Sequence, residues 1–351
     1  PAAPPGPPAS CCLSSSRRMR NIRLRKHKIP NVFLLVFGVG RVLETYATFV
    51  AAAFFMEYNA PIVTTTALVT LGAGAMLCVL QDIKSVAARL RKHLYRLIMD
   101  AVLLSNSTLC MFAGLKYSGA YRFILFNFMT QTLANPIMKI STPRMSSSAV
   151  KGSVVIIVAF GFTAIAASFT EIRGQDSGVF KIPSAALGFL FMVAAAVFEA
   201  LRRQTFKKLT SKKIGNSRTV HAIIVLISGL LQAPLGMASY LFGSANKMEL
   251  TSMQYLFMLL FLITFIVVFR FYITGIGKKA LSQKSIQMDF VVSGFTATVL
   301  DVMQGAGACT VYSTCFALAA LFGVSLAVSK EKEKEKLPVY NPATTSESRS
   351  E

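Results

Sequence analysis

The sequence predicts an all-α polytopic membrane protein of about ten transmembrane helices, arranged as a 5+5 inverted repeat. Three observations predict it. Hydrophobic residues make up 54% of the 351-residue chain and charged residues only 15%, against about a quarter charged in soluble domains. The apolar residues fall in repeated runs of roughly 20, the length an α-helix needs to cross a bilayer. Lys and Arg, which give a net charge of +22, crowd into alternate connections between those runs.

The runs, in order, are 32–56, 62–81, 94–115, 120–139, 150–170, 184–206, 220–243, 253–277, 285–305 and 308–328. None has the strict two-residue alternation of a barrel strand, so helices are the better reading. The first run carries Gly38 and Gly40 together with Arg41 and Glu44. The second carries Gly72, Gly74 and Cys78. The third holds Asp100 and Cys110 and ends at a turn, KYSGA (116–120). The fourth opens GAYRFILFNF and contains Pro136; the seventh contains Pro234. A proline inside a helix removes a hydrogen bond and can kink it. The sixth carries Ala194 to Ala196 and Glu199, and the eighth carries Arg270. The ninth, with Asp289 and Asp301 inside it, is the least apolar, and the tenth carries Cys309 and Cys315. Small residues inside the runs let helices approach closely in lipid.

The basic residues set the path through the membrane. Seven lie in RRMRNIRLRKHK, five between Lys84 and Arg96, three between Lys139 and Lys151, seven in 202–218, three between Lys278 and Lys284, and five after Ser329. The intervening connections hold only Lys116, Arg173, Lys181 and Lys247. Cytoplasmic loops retain Lys and Arg, so this alternation puts both termini in the cytosol. It also accounts for the net charge without nucleic acid, and it suits contact with anionic cytoplasmic lipid. Residues 1–30 read as a disordered basic tail, or as an incomplete start, since PAAPPGPPAS lacks an initial Met and no signal-peptide core follows. Residues 329–351 read as a polar, charge-alternating tail. The halves are 31–170 and 184–328. An odd number of spans per half makes the second half enter the membrane in the opposite sense, a common transporter plan.

Ionisable residues inside membrane spans are default functional candidates. Arg41 and Glu44, three apart, can pair on one helix. Glu199 has Arg202 and Arg203 beside it for solvated pairing near the cytoplasmic border. Asp100 lies within the third run. Arg270 and Asp301 have no close partner in sequence and would satisfy one another as a tertiary pair. Arg122 lies about one turn from the exoplasmic border. It either snorkels to that surface or faces a central cavity, where its guanidinium would match an anionic or phosphate group. Asn127, Gln131 and Asn135 follow at four-residue spacing and make a polar stripe on one face of that helix. That stripe with Arg122 points to a cavity along this helix. The opening of the ninth run, SQKSIQMDF, echoes GAYRFILFNF in carrying a cation, Lys284, where the fourth has Arg122.

No catalytic, metal or cofactor site is read. His27, His93 and His221 form no HxxxH or HxxxD pair, no CxxC spacing exists, and the six cysteines suggest no disulfide framework. There is no GxSxG, HExxH or Walker loop, and Gly38-Val39-Gly40 lies inside an apolar run, so a soluble-type enzyme is disfavoured.

The layout, with the stretch LCMFAGLKYSGAYRFILFNFMTQTL, resembles the drug/metabolite transporter superfamily, to which nucleotide-sugar transporters belong. The likeness spans roughly residues 30–328. YRFILFNF, KGSVVIIVAFGF and VVFRFYITGIGKKALSQKSIQMDF are similar to the N-terminal membrane region of the zinc transporter 5 type, where such a half is fused to a cation-diffusion-facilitator half. The resemblance implies Golgi or endoplasmic-reticulum membranes and substrate held between the two halves, with Arg122, Asn127, Gln131, Lys284 and Asp289 in comparable places. The HxxxD zinc helices of the facilitator half are missing here, as is the lysine-threonine pairing of some relatives' ninth span. Two functions follow as expectations. One is a secondary transporter moving an organic anion, such as a nucleotide-sugar, by alternating access. The other is an accessory or truncated membrane region supporting zinc delivery to the secretory pathway. The partners expected are the lipid bilayer, a small-molecule substrate and a homo- or heterodimer mate.

Overall fold

The computed structural model describes residues 31–58, 60–81, 93–140, 184–210, 217–242, 252–265 and 284–305, with scattered positions between 151 and 165 and between 318 and 322. Among these residues there are helices and no strands. The helices are α1 (Asn31–Glu57), α2 (Ile62–Val79), α3 (Leu94–Ile140), α4 (Ser184–Thr210), α5 (Ser217–Phe242), α6 (Met253–Phe265) and α7 (Lys284–Gln304). Among the described residues five segments are long and apolar enough to cross a membrane: Leu35–Met56, Ile62–Val79, Leu94–Asn127, Ser184–Phe206 and Ser217–Phe242. Large apolar side chains such as Leu35, Leu235, Phe242 and Phe257 point outward. Faces like these are unstable in water and at home in hydrocarbon. The chain has the make-up of an α-helical multi-pass membrane protein.

Hydroxyl residues sit in these helices at little cost because their own backbone satisfies them. Thr45, Thr48, Thr66, Thr108, Thr296 and Thr298 each donate to the carbonyl four residues earlier, at 2.6–2.9 Å. Pro61 stands before the first residue of α2 with φ −68°, and its carbonyl accepts from the Thr65 N–H at 2.9 Å. Helix α5 runs through Pro234, which has no N–H to offer the Leu230 carbonyl.

Helix α3 is 47 residues long, and a straight helix of that length would reach about 70 Å, more than twice the roughly 30 Å hydrocarbon core. It does not run straight. Gly119 has φ 74° and ψ 167°, a backbone region open essentially to glycine. The contacts on either side show the consequence. Before Gly119, α3 runs antiparallel to α4: Asp100 meets Thr205, Ser107 meets Ala195 and Ser118 meets Gly188. Phe126 lies two turns beyond Ser118, yet its ring is 5.5 Å from that of Phe189, beside Gly188. The chain has turned back. The turn expected over 116–120 is thus compressed into one residue between two helical segments.

Helices α2 and α5 pack antiparallel and in close backbone contact. A Cβ on Gly74 would fall 2.5 Å from Leu226 Cα, and one on Gly229 would fall 2.5 Å from Leu71 Cα. The two contacts are the same contact seen from either helix, because Gly74 to Gly229 and Leu71 to Leu226 are both steps of 155 positions. The step holds for most of the buried faces, Thr66, Cys78 and Gly236 being the exceptions. Thr64, Thr65, Ala67, Val69, Thr70, Ala73, Gly74 and Leu77 are buried in α2, and Thr219, Val220, Ala222, Ile224, Val225, Ser228, Gly229 and Gln232 are their counterparts in α5.

Two apolar cores occupy opposite ends of the bundle. One joins late α1, Val69 of α2, both sides of the Gly119 turn, Met192 of α4 and Tyr255 of α6. The other joins late α2, Leu97 to Leu104 of α3, Leu209 of α4 and early α5. Helix α6 packs on α2 and α1, and α7 packs on α1 and α3.

Candidate functional site

The ion pairs at Glu44 and Glu199 join residues three or four apart on one helix. Arg41 is buried in α1 and forms an ion pair with Glu44, one turn along, while its guanidinium carbon lies 5.0 Å from the Phe37 ring centre. Near the end of α4, Arg202 grips Glu199 with two hydrogen bonds, Nε to Oε2 at 2.7 Å and Nη2 to Oε1 at 2.9 Å. Arg203 adds a third at 3.1 Å. This cluster is largely enclosed, with side-chain exposures of 13% for Arg202 and 16% for Glu199, rather than solvated as expected.

Asp100 is fully buried at 0% exposure. Its Oδ1 accepts from Thr205 Oγ1 of α4 at 2.7 Å. Its Oδ2 makes no hydrogen bond among the described residues. Thr205 Oγ1 also lies 2.8 Å from the Arg202 carbonyl, so its one proton is shared between that oxygen and Asp100, which ties Asp100 to the Glu199 cluster. At the other end of the bundle, Tyr255 of α6 is equally enclosed, at 1% exposure. Its hydroxyl shares a hydrogen bond with Thr65 Oγ1 of α2 at 3.0 Å, and its ring lies 5.7 Å from Phe54 of α1. Phe54 in turn meets Phe55, and Phe55 meets Phe112 of α3. Between the two ends, Gln232 Nε2 donates to the Ser105 carbonyl at 2.8 Å and Thr64 to the Gly236 carbonyl at 3.0 Å. These bonds hold α5 to α3 and to α2.

The expected cavity residues are only partly placed. Arg122 and Asn127 are half-buried, just beyond the Gly119 turn, and both have partners. Gln131 and Asn135 continue the same helix, and Lys284 and Asp289 lie in the first turns of α7; their side chains fall outside the described residues. Asp301 is buried in α7 and has a partner. Arg270, its proposed mate, lies outside the described residues, as do Cys309 and Cys315. Cys78 and Cys110 are free thiols. Among the described residues no group of His, Cys, Asp and Glu could hold a metal ion.

The arrangement has a solved counterpart. Twelve chains of solved structures match this one in shape. One of them, described only as a crystal structure of a protein, superposes with a TM-score of 0.52 at 15% identity, covering 84% of this chain and 98% of that one. The likeness is one of fold. No protein-family model matches the sequence. No curated protein matches it either.

Tyr255, Thr65, Thr205 and Gln232 make the polar contacts between helices and were not singled out by sequence reasoning, which weighed charges. A signal was present. Thr64, Thr65, Thr66 and Thr70 form a hydroxyl cluster at the start of an apolar run, and Tyr255 interrupts the near-continuous apolar stretch MQYLFMLLFLITF. Such residues find partners when buried. Cationic, amide and hydroxyl groups are thus held at several levels of an apolar bundle.

Proposed function

We propose that this protein is a secondary transporter of the drug/metabolite type, moving an organic anion such as a nucleotide-sugar by alternating access. Ten helices form two inverted halves of five in a Golgi or endoplasmic-reticulum membrane, with both termini in the cytosol. The observation that carries this reading is the shared register of α2 and α5. Two helices with the same buried face, packed antiparallel through reciprocal glycine contacts, are what a two-fold axis in the membrane plane produces from an inverted duplication. Further pairings fit the same axis. As second, third, sixth, seventh and eighth spans, α2, the first part of α3, α4, α5 and α6 pack so that the α3–α5 contact is the counterpart of α6–α2. The α3–α4 contact is likewise the counterpart of α6–α1. The duplicated plan supports a carrier that exposes one site to each side in turn. Arg122 and Asn127, half-buried past the Gly119 turn, supply the cationic and amide groups an anionic solute needs.

Exchange uptake in proteoliposomes, over a panel of nucleotides and nucleotide-sugars, tests the reading. Counterflow of at least one anion, reduced by Arg122→Ala, is expected. Correctly inserted protein that exchanges none of them overturns the substrate class. The second reading, an accessory membrane region for zinc delivery, rests on the similarity of YRFILFNF and the other stretches quoted above. It requires zinc-dependent secretory enzymes to mature poorly in cells lacking the protein, and normal maturation removes it.

A further inference from the structure

We propose that the Asp100–Thr205 and Tyr255–Thr65 contacts are the two gates of this carrier, one at each membrane face, each centred on the same position of the duplicated half (Asp100 and Tyr255) and each closed against a different helix. The inference rests on the transporter reading above and extends it to named residues. The step of 155 positions that superimposes α2 on α5 carries Asp100 of α3 onto Tyr255 of α6. Each is the buried polar residue near the start of the helix that follows α2 or α5, where Tyr95, Arg96 and Gln254 are exposed. Both are enclosed, at 0% and 1% exposure.

Each gate residue reaches from its own half into the other. Asp100, in the first half, accepts from Thr205 in the second at 2.7 Å. Tyr255, in the second half, meets Thr65 and Phe54 in the first, at 3.0 Å and 5.7 Å between rings. The two lie at opposite ends. Asp100 sits beside the core of late α2, early α3, late α4 and early α5, the end whose connections carry the Lys84–Arg96 and 202–218 basic residues. Tyr255 sits in the core of late α1, early α2 and early α4. In this structure both contacts are made, and on this proposal both gates are shut. Alternation then requires one to open while the other stays shut. The α2–α5 glycine contact lies between them. Its backbone-to-backbone approach leaves no slack, so it serves as the pivot and stays fixed.

The test uses the full chain with its cysteines replaced by alanine and a single reporter, Asn127→Cys, in vesicles of known sidedness. A membrane-impermeant maleimide is applied to one face at a time. Thr205→Val is expected to raise labelling about fivefold from the face bearing the basic connections and to leave the other face unchanged. That factor corresponds to one net hydrogen bond of about 1 kcal/mol. Tyr255→Phe and Thr65→Val are expected to do the reverse, and the pair combined to do no more than either alone, because they remove the same bond. Equal labelling from both faces in any of these variants, a rise at the wrong face, or no change overturns the gates. Should one variant misfold, Thr65→Val and Tyr255→Phe are independent routes to the same gate. The outcomes separate from those of the transport assay. Sided labelling without exchange of any anion retains the gates and refutes the cargo, whereas exchange with unsided labelling does the opposite.

Discussion

Placing a methyl group at the α2–α5 crossing tests the axis of the molecule directly. In Gly74→Ala the new Cβ meets Leu226 Cα at 2.5 Å and its N at 2.6 Å; in Gly229→Ala it meets Leu71 Cα and N at the same two distances. Carbon atoms rest at about 3.5–4.0 Å. Each substitution therefore demands that two helix backbones part by at least ~1 Å, and neither can swing aside as a side-chain tip would. Overpacking of this kind costs about 1–3 kcal/mol, net of up to ~1 kcal/mol that alanine returns through helix propensity. We expect each variant to lose about 2 kcal/mol. The double variant should lose clearly less than ~4 kcal/mol, since a separation made for one methyl accommodates the other, a coupling of neighbours. Gly38→Ala is the control, because its Cβ meets nothing within 4 Å. The chain has no Trp, so unfolding is followed in detergent by circular dichroism and by a thiol-reactive dye reporting exposure of Cys78 and Cys110. Single variants as mild as Gly38→Ala, or a fully additive double, would refute the reciprocal packing.

Three further outcomes follow from local geometry. Gly119→Ala meets no neighbour within 4 Å, so it isolates backbone strain, and thermal unfolding should fall by about 1–3 kcal/mol. Arg41→Met leaves Glu44 inside the membrane without its cation and should cost several kcal/mol, of the order of 3–5; adding Glu44→Gln should recover most of that in the same melt. Gln232→Leu gives up the bond to the Ser105 carbonyl but also removes a buried Oε1 that lacks a hydrogen bond among the described residues. Its unfolding midpoint should move by less than about 1 kcal/mol, whereas Gln232→Ala, which opens a void, should be worse.

Much of the helix order was legible because it is written in local physics. Apolar runs located α1, α2, α4 and α5 to within about four residues, and the three-residue spacing of Arg41 and Glu44 gave their pair. Gly119 marked the turn in α3, although the run around it could not show that a single glycine would do the work of a five-residue connection. The cross-half contacts were not legible. Thr65 and Tyr255 are 190 positions apart, and Asp100 and Thr205 are 105 apart; no local pattern pairs them. The internal echo from Arg122 to Lys284 is seven residues out of step with the 155-position register of α2 and α5, a difference that connections of unequal length absorb. The better echo was Leu71–Gly74 against Leu226–Gly229. It lies in small and branched apolar residues, and only packing distinguishes those from ordinary membrane sequence.

The kinds of bond used within and between the halves bear on how such a protein could move. Arg41–Glu44, Arg202–Glu199 and Arg203–Glu199 each join residues three or four apart on one helix. Such a pair travels with its helix and is not broken when helices separate. Across the halves, the contacts at the two ends are a hydrogen bond from Thr205 to Asp100, a hydrogen bond between Thr65 and Tyr255, and aromatic edges such as Phe126 on Phe189. Hydrogen bonds and ring contacts of this kind are worth on the order of 1 kcal/mol each, and parting a buried ion pair costs several times more. A molecule that spent its strongest interactions across the halves would be locked in one state. On the transporter reading proposed above, the pairs of Arg41 with Glu44 and of Glu199 with Arg202 and Arg203 stabilise individual helices, the glycine crossing fixes the α2–α5 pair, and the Asp100 and Tyr255 contacts are weak enough for a bound solute to tip.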